Sequence, residues 1–246
     1  MDIFEGKKKS DRVYKGAYSY FKNQNIYSEE TFEVFKDRKE LKLNFCSQIL
    51  CRVSTGELLK VSVDYTVNKE FLPQKVIIYR NLGKDDVVET FLYDKKKGVI
   101  NYEFKNKGEI TEAEIVTTPK FHIASPTTVN SALFIKSKKE NTGGKNYYNI
   151  ITSFNQWKYE EKPITKYIAM QRLSTTTETY KIDGTAVQAL QYKITEEEPD
   201  KDDNLDNLKP TAIKIWLSQH NGIPYSVESE DGTKIQIKFL NDLDRE

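Results

Sequence analysis

Two histidines, two cysteines and one acidic run are the side chains of this sequence best suited to metal, acid–base or nucleophilic chemistry. A structural zinc site needs four ligands converging as a tetrahedron. Cys46 and Cys51 have four residues between them, while His122 and His220 lie far from both and from each other, so the spacing defines no metal-binding knuckle. On a shared strand the two cysteines point to opposite faces, which argues against a mutual disulfide. Nucleophilic catalysis needs a Ser, Cys or Thr beside an oriented base. His122 stands between Phe121 and Ile123 and on a strand points away from both; His220 precedes Asn221-Gly222, a turn signal, so an exposed turn residue is its plain reading. There is no Gly-x-Ser-x-Gly elbow, phosphate loop or dinucleotide fingerprint, and Gly143-Gly144-Lys145 reads as a loop. No catalytic residue, metal ligand or cofactor is assigned.

Residues 196–206 hold seven carboxylates and one lysine, with Pro210 following. Asp200, Asp202 and Asn204 imitate the first three ligands of an EF-hand loop. Leu205 then stands where that loop needs glycine and Thr211 where it needs a bidentate acid, so the pattern fails. A solvated acidic loop over 196–210 is expected instead. Across the chain 38 basic residues face 37 acidic ones, and a net charge of +1 offers no basic excess to a nucleic-acid backbone. No apolar run approaches the roughly 18–20 residues of a membrane-spanning helix. Residues 1–12 carry Lys7, Lys8 and Lys9 with no apolar run behind them and read as a flexible start. The expected address is cytoplasmic if Met1 is the natural start and periplasmic if a leader was removed.

The elements that must position these groups are strands. Leu41, Leu43 and Phe45 alternate with polar residues, as do Val61, Val63, Tyr65 and Val67, giving one buried and one wet face each. Residues 32–35, 75–80, 87–93 and 99–104 follow suit, divided by Thr55-Gly56, Leu82-Gly83, Lys97-Gly98 and Lys107-Gly108. An antiparallel meander fills the first half. Asp183-Gly184 joins strands 178–182 and 186–194, and Asn221-Gly222 and Asp231-Gly232 divide a final three-stranded meander. The one helix expected spans 127–138, entered near Pro126, with Val129, Ala132, Leu133 and Lys136 at helical spacing. Trp216 is out of phase with Ile213, Ile215 and Leu217 and belongs to the opposite face. The fold class is all-β: a strongly curved antiparallel sheet forming an incomplete barrel, one domain over 13–246.

Ser125-Pro126-Thr127-Thr128-Val129-Asn130-Ser131-Ala132-Leu133-Phe134 before a basic stretch, and Ile215-Trp216-Leu217-Ser218 leading to Gly222-Ile223-Pro224-Tyr225-Ser226-Val227-Glu228, resemble an uncharacterised bacterial β-protein family related in shape to lipoprotein carriers, the LolA/LolB-like half-barrels. The likeness covers residues 125–139 and 213–240. It implies a half-barrel incompletely closed by the helix, with a greasy concavity of the kind that holds acyl chains or glycolipids. The acidic insertion before Ile213 departs from the family pattern.

A curved sheet whose apolar face exceeds its lid leaves room for a guest. The first reading is therefore noncatalytic binding or transport of a lipid or other hydrophobic small molecule, with Val63, Tyr65, Phe134, Ile215, Tyr225, Ile237 and Phe239 as the wall. The same residues can equally make a solid core. Two alternatives stay open: a scaffold meeting a protein partner through sheet edges or the acidic loop, and a hydrolase or lyase on a hydrophobic substrate with His122 as base.

Overall fold

The computed structural model describes residues 7–197, 212–218 and 220–243. The acidic run from residue 198 and the EF-hand-like positions 200–211 lie outside the described residues. After a single 3-10 turn (Lys9–Asp11), sixteen strands follow: β1 (Arg12–Lys22), β2 (Asn25–Asp37), β3 (Lys42–Arg52), β4 (Leu58–Val67), β5 (Pro73–Leu82), β6 (Asp85–Asp94), β7 (Val99–Asn106), β8 (Glu109–Val116), β9 (His122–Ile123), β10 (Lys145–Thr152), β11 (Ile164–Arg172), β12 (Glu178–Ile182), β13 (Thr185–Glu196), β14 (Ile213–Ser218), β15 (Pro224–Ser229) and β16 (Thr233–Asp242). They form one curved sheet in the order β8-β7-β6-β5-β4-β3-β2-β1-β16-β15-β14-β13-β11-β10-β9, with β12 beside β13.

The alternation read from sequence maps onto burial. On β4, Val61, Val63, Tyr65 and Val67 are all buried against Phe45, Ile78 and Tyr18 in one large cluster. Hairpins close where glycine or a neighbouring polar residue supplies positive φ; Asp183 (φ 46°) and Gly184 (φ 77°) make the two-residue turn between β12 and β13. The first eight strands are a simple meander, and β1 then pairs with β16, joining the first strand to the last. Leu41 is a correction to the strand pattern: β3 begins at Lys42, and Leu41 is an exposed turn residue at φ 52°.

Curling brings the end of the strand path back over its beginning. Phe121 packs edge-on against Tyr93 of β6 at 4.9 Å, and the Tyr65 hydroxyl on β4 lies 3.0 Å from Nδ1 of His122 and 3.1 Å from the carbonyl of Ile123. Phe121, His122 and Ile123 are all buried, against the expectation of opposed faces. A two-residue strand inside the curl is enclosed on both sides, so period-two reasoning has no wet face to work with.

The expected helix over 127–138 is replaced by a five-residue 3-10 turn, Leu133–Ser137. The residues before it are held by other partners. Glu30 of β2, fully buried, accepts hydrogen bonds from the N–H groups of Thr128 (2.8 Å) and Val129 (3.2 Å) and from the Tyr20 hydroxyl (2.5 Å). Ser125 donates to Asn130 Oδ1 at 2.6 Å, and Asn130 donates to Thr127 at 3.1 Å. Such side-chain bonds compete with helix formation and pin the segment as an irregular plug. Glu89 plays the same part elsewhere, taking bonds from Arg80, Tyr102 and Ser153, while Asn155 donates to Tyr102 at 2.8 Å.

Candidate functional site

Where the end of β2, the start of β3, the β4–β5 turn and the β14–β15 turn meet, the curled sheet has a mouth, and in it a cavity of about 290 Å³. That lies at the lower end of the ~300–1,000 Å³ typical of small-molecule sites. Its wall is apolar: Val13, Val34, Leu43, Phe45 and Ile223 continue the barrel core outward to Leu41 and Phe71. The rim is polar, with Lys36, Asp37, Lys42, Asn68, Lys69, His220 and Asn221 contributed by three separate turns.

The turns are fixed locally. Asp37 Oδ1 accepts from the N–H groups of Lys39 (2.9 Å) and Glu40 (3.0 Å), and Asn68 Oδ1 from those of Glu70 (2.9 Å) and Leu72 (3.0 Å). Asn221 Oδ1 accepts from Ile223 N–H at 2.9 Å. In the first two of these turns Leu41 stands at φ 52° and Phe71 at φ 58°. Among the described residues four other non-glycine residues have positive φ, namely Asn23, Gln24, Lys107 and Asp183, all polar and all in hairpin turns. A bulky apolar side chain in that region costs on the order of 1–2 kcal/mol and is typically retained where a site needs it.

Other chemistry-bearing groups are enclosed. Burial, outweighing a backbone hydrogen bond at Asn130, drives His122 down to about 3, so the ring is neutral; it also packs against Phe134 at 5.6 Å and lines no part of the cavity. Burial pushes Glu30 up to about 7 against the opposing pull of its hydrogen-bond donors. Both carboxylate oxygens are engaged by the plug, which makes Glu30 a clamp on that segment. Cys46 is buried and pushed up to about 12, chiefly by burial and then by Asp64, and therefore unreactive. Cys51 is half-buried, and neither cysteine is in a disulfide. Among the described residues no group of three His, Cys, Asp or Glu side chains is placed to hold a metal ion. No helix among them is long and apolar enough to cross a membrane.

Six of the seven expected wall residues are buried. Val63, Tyr65, Tyr225 and Ile237 belong to the main cluster, Phe134 and Ile215 to a second cluster with Met170, Tyr148 and Leu217, and Phe239 is partly buried. None of the seven lines the mouth cavity. Trp216 packs against the main cluster while Ile215 and Leu217 sit in the second, in keeping with its opposite phase. Sequence reading missed the mouth because its rim is assembled from turns at separate places in the chain. One signal was present: Leu41 and Phe71, large and apolar, each follow a charged residue in a turn, Glu40 and Glu70.

Fold and cavity define a β-barrel-like protein with an open end. A β-barrel-like protein with a domain of unknown function, DUF1849, from Brucella abortus superposes with a TM-score of 0.57 at 8 % identity, covering 94 % of this chain and 98 % of that one. A DUF1089 family protein from Pseudomonas aeruginosa superposes with a TM-score of 0.46 at 12 % identity, over 81 % and 88 % of the two chains. At 8 % identity the likeness to the Brucella abortus protein concerns the fold. No protein-family model and no curated protein sequence matches the chain.

Proposed function

We propose that this chain is a noncatalytic binding protein that takes a hydrophobic ligand into the mouth of its curled sheet. The observation that carries the reading is the pair Leu41 and Phe71, held at φ 52° and 58° over an apolar-walled cavity. Glycine or asparagine would fit either backbone position with less strain, yet neither has an apolar side chain to offer a ligand. The site differs from the wall expected from sequence: the guest enters at the end of the barrel, where the chain's own side chains stop. Kinship with LolA/LolB-like carriers is part of this proposal and rests on the order of the 125–139 and 213–240 segments.

The test is titration with the fluorescent apolar probe N-phenyl-1-naphthylamine, with native mass spectrometry of the gently purified protein alongside. Parent protein should bind the probe saturably, and Phe71→Gly should weaken binding about tenfold. Absence of saturable binding, or equal affinity in the variant, removes the proposal.

A second reading draws on the β8 edge. Its outer side pairs with no other strand of the sheet, and it exposes Ile110 and Val116, as a surface for a protein partner does. Glu109, Glu112 and Glu114 on the same strand favour the opposite interpretation, an edge defended by charge.

A further inference from the structure

Taking up the β8 edge, and independently of the mouth, we infer that this edge accepts an extended cationic segment of another protein, which adds to the sheet as a further antiparallel strand. The backbone supplies the first half of the argument. Asn106 and Glu109 flank the two-residue Lys107-Gly108 turn, and at the other end of the hairpin the Thr117 N–H donates to the Gly98 carbonyl at 3.1 Å in the same register. Hydrogen-bonded and non-hydrogen-bonded pairs alternate along an antiparallel ladder. Both ends of the hairpin therefore assign Glu109, Thr111, Ala113 and Ile115 to bonding with β7, and leave the N–H and C=O groups of Ile110, Glu112, Glu114 and Val116 turned to the open edge. Among the described residues no other strand or loop backbone pairs with those four.

Side chains supply the second half. The same four residues are exposed, while Ala113 and Ile115 turn inward. An incoming strand thus meets two carboxylates between two apolar residues. Glu103 of β7 stands directly opposite Glu112, and neither forms an ion pair among the described residues. Like charges in that position destabilise a sheet. The nearby cations are Lys105, opposite Ile110, and Lys97, whose Nζ lies 3.8 Å from Glu114 with both side chains largely exposed. The next positions across, Val88, Thr90 and Leu92 of β6, are uncharged. A lysine or arginine brought opposite Glu112 relieves its repulsion with Glu103, and one opposite Glu114 completes a weakly held pair.

The acidic pair also decides between occupants. A second copy docking by the same edge across a twofold axis runs antiparallel to the first. The register that matches Ile110 with Val116 sets Glu112 against Glu114, and a shift by one pleat either way sets Glu112 or Glu114 against itself. Charge here defends the edge against this chain's own copies. It admits a strand whose outward residues run apolar, basic, basic, apolar, held by main-chain hydrogen bonds and selected by its side chains.

The experiment is fluorescence anisotropy of the full chain with the labelled peptide Val-Thr-Lys-Thr-Lys-Thr-Ile, the same peptide carrying serine or glutamate in place of lysine, and the scrambled Lys-Val-Thr-Thr-Ile-Thr-Lys. Amide exchange of the complex is read residue by residue alongside. The lysine peptide should bind about tenfold tighter than the serine and scrambled peptides, and the glutamate peptide weakest of all. Glu112→Gln combined with Glu114→Gln, both at exposed positions, should bring the lysine peptide down to the level of the serine one. Binding should slow exchange most at Ile110, Glu112, Glu114 and Val116, whose amides face the open edge; a contact made by charge alone would not produce that alternation. Absence of binding overturns the inference, as does a serine or scrambled peptide that binds as well as the lysine one. Binding without the alternating protection overturns strand addition. None of these results bears on the mouth, where affinity for N-phenyl-1-naphthylamine should be the same with and without peptide.

Discussion

Glu30 and His122 titrate in opposite senses, and their effects on stability offset each other between about pH 4.5 and 6.5. Glu30 is held near 7 in the fold against an ordinary carboxylate value of 4.5, because its burial outweighs the donors around it. A raised carboxyl is stabilising below the unfolded value, and that contribution is lost as pH climbs from about 4.5 to about 7, after which it changes no further. The full effect is about 3 kcal/mol. His122, lowered from 6.5 to about 3, runs the other way: its contribution is complete above about 6.5 and disappears as pH falls toward 3. Urea melts of the parent should therefore show little net slope between pH 4.5 and 6.5 and a steep loss below. In Glu30→Gln, stability should fall with acid throughout the range below 6.5, since the histidine's slope is no longer offset. A variant profile parallel to the parent's would mean that Glu30 is ionised throughout. Leu41 and Phe71 give a second prediction. Leu41→Gly and Phe71→Gly relieve backbone strain while adding chain entropy to the unfolded state, so each should melt within about 1 kcal/mol of the parent. Apolar-probe affinity should nevertheless drop about tenfold, whereas the polar-turn control Gln24→Gly should leave it alone. Loss of stability without loss of affinity would make both residues ordinary packing.

Strands were legible in this chain where an apolar alternation ends in a turn signal; β8, β10 and β11 were not read although each has a wet face, and β9 has none to read. β4, with Val61, Val63, Tyr65 and Val67 buried in alternation, announces itself. β9 does not, because the curl encloses Phe121, His122 and Ile123 alike. The segment 127–138 misled for a different reason: its helical spacing is real, but Glu30, distant in sequence, captures the amides of Thr128 and Val129 that a helix would need. The candidate site was hidden because turns carry no period, and three turns from residues 37 to 222 become neighbours only once the sheet has coiled. Gly16 on β1 tests how tightly that coil is joined. A Cβ there would meet the Phe32 ring at 2.4 Å and the Phe239 carbonyl oxygen at 2.7 Å, and the second contact is backbone. Gly16 pairs with Phe32 on one side and Leu240 on the other, next to a register shift at Ala17 and Tyr18. Gly16→Ala should cost about 2–3 kcal/mol, since the β1–β16 pairing has to open to admit a methyl group. A thermal midpoint equal to the parent's would show that this joint is looser than its spacing implies.

At the scale of the molecule, the sheet is a single path whose middle is made from the two ends of the chain. β1 lies between β2 and β16, so the pairing that unites the N-terminal meander with the C-terminal one spans nearly the whole sequence. Such a contact is costly to close and forms only when both halves are in place. β8, in contrast, pairs among the described residues with β7 alone, through a hairpin with the tight Lys107-Gly108 turn, and much of its length is exposed. Amide exchange should follow this geometry. Tyr18 and Phe32, completely or almost completely buried at the central pairings, should exchange only through global unfolding. Amides of β8 should exchange through local opening and be less protected by a factor of about 100 or more. Adding N-phenyl-1-naphthylamine should slow exchange at the mouth, around Leu41, Phe71 and Ile223, before it slows β8, because a ligand protects first the openings that release it. Should β8 prove as protected as β1 in the free protein, the edge is covered in solution by another chain, and the partner-binding reading of that strand would take precedence over a defended edge.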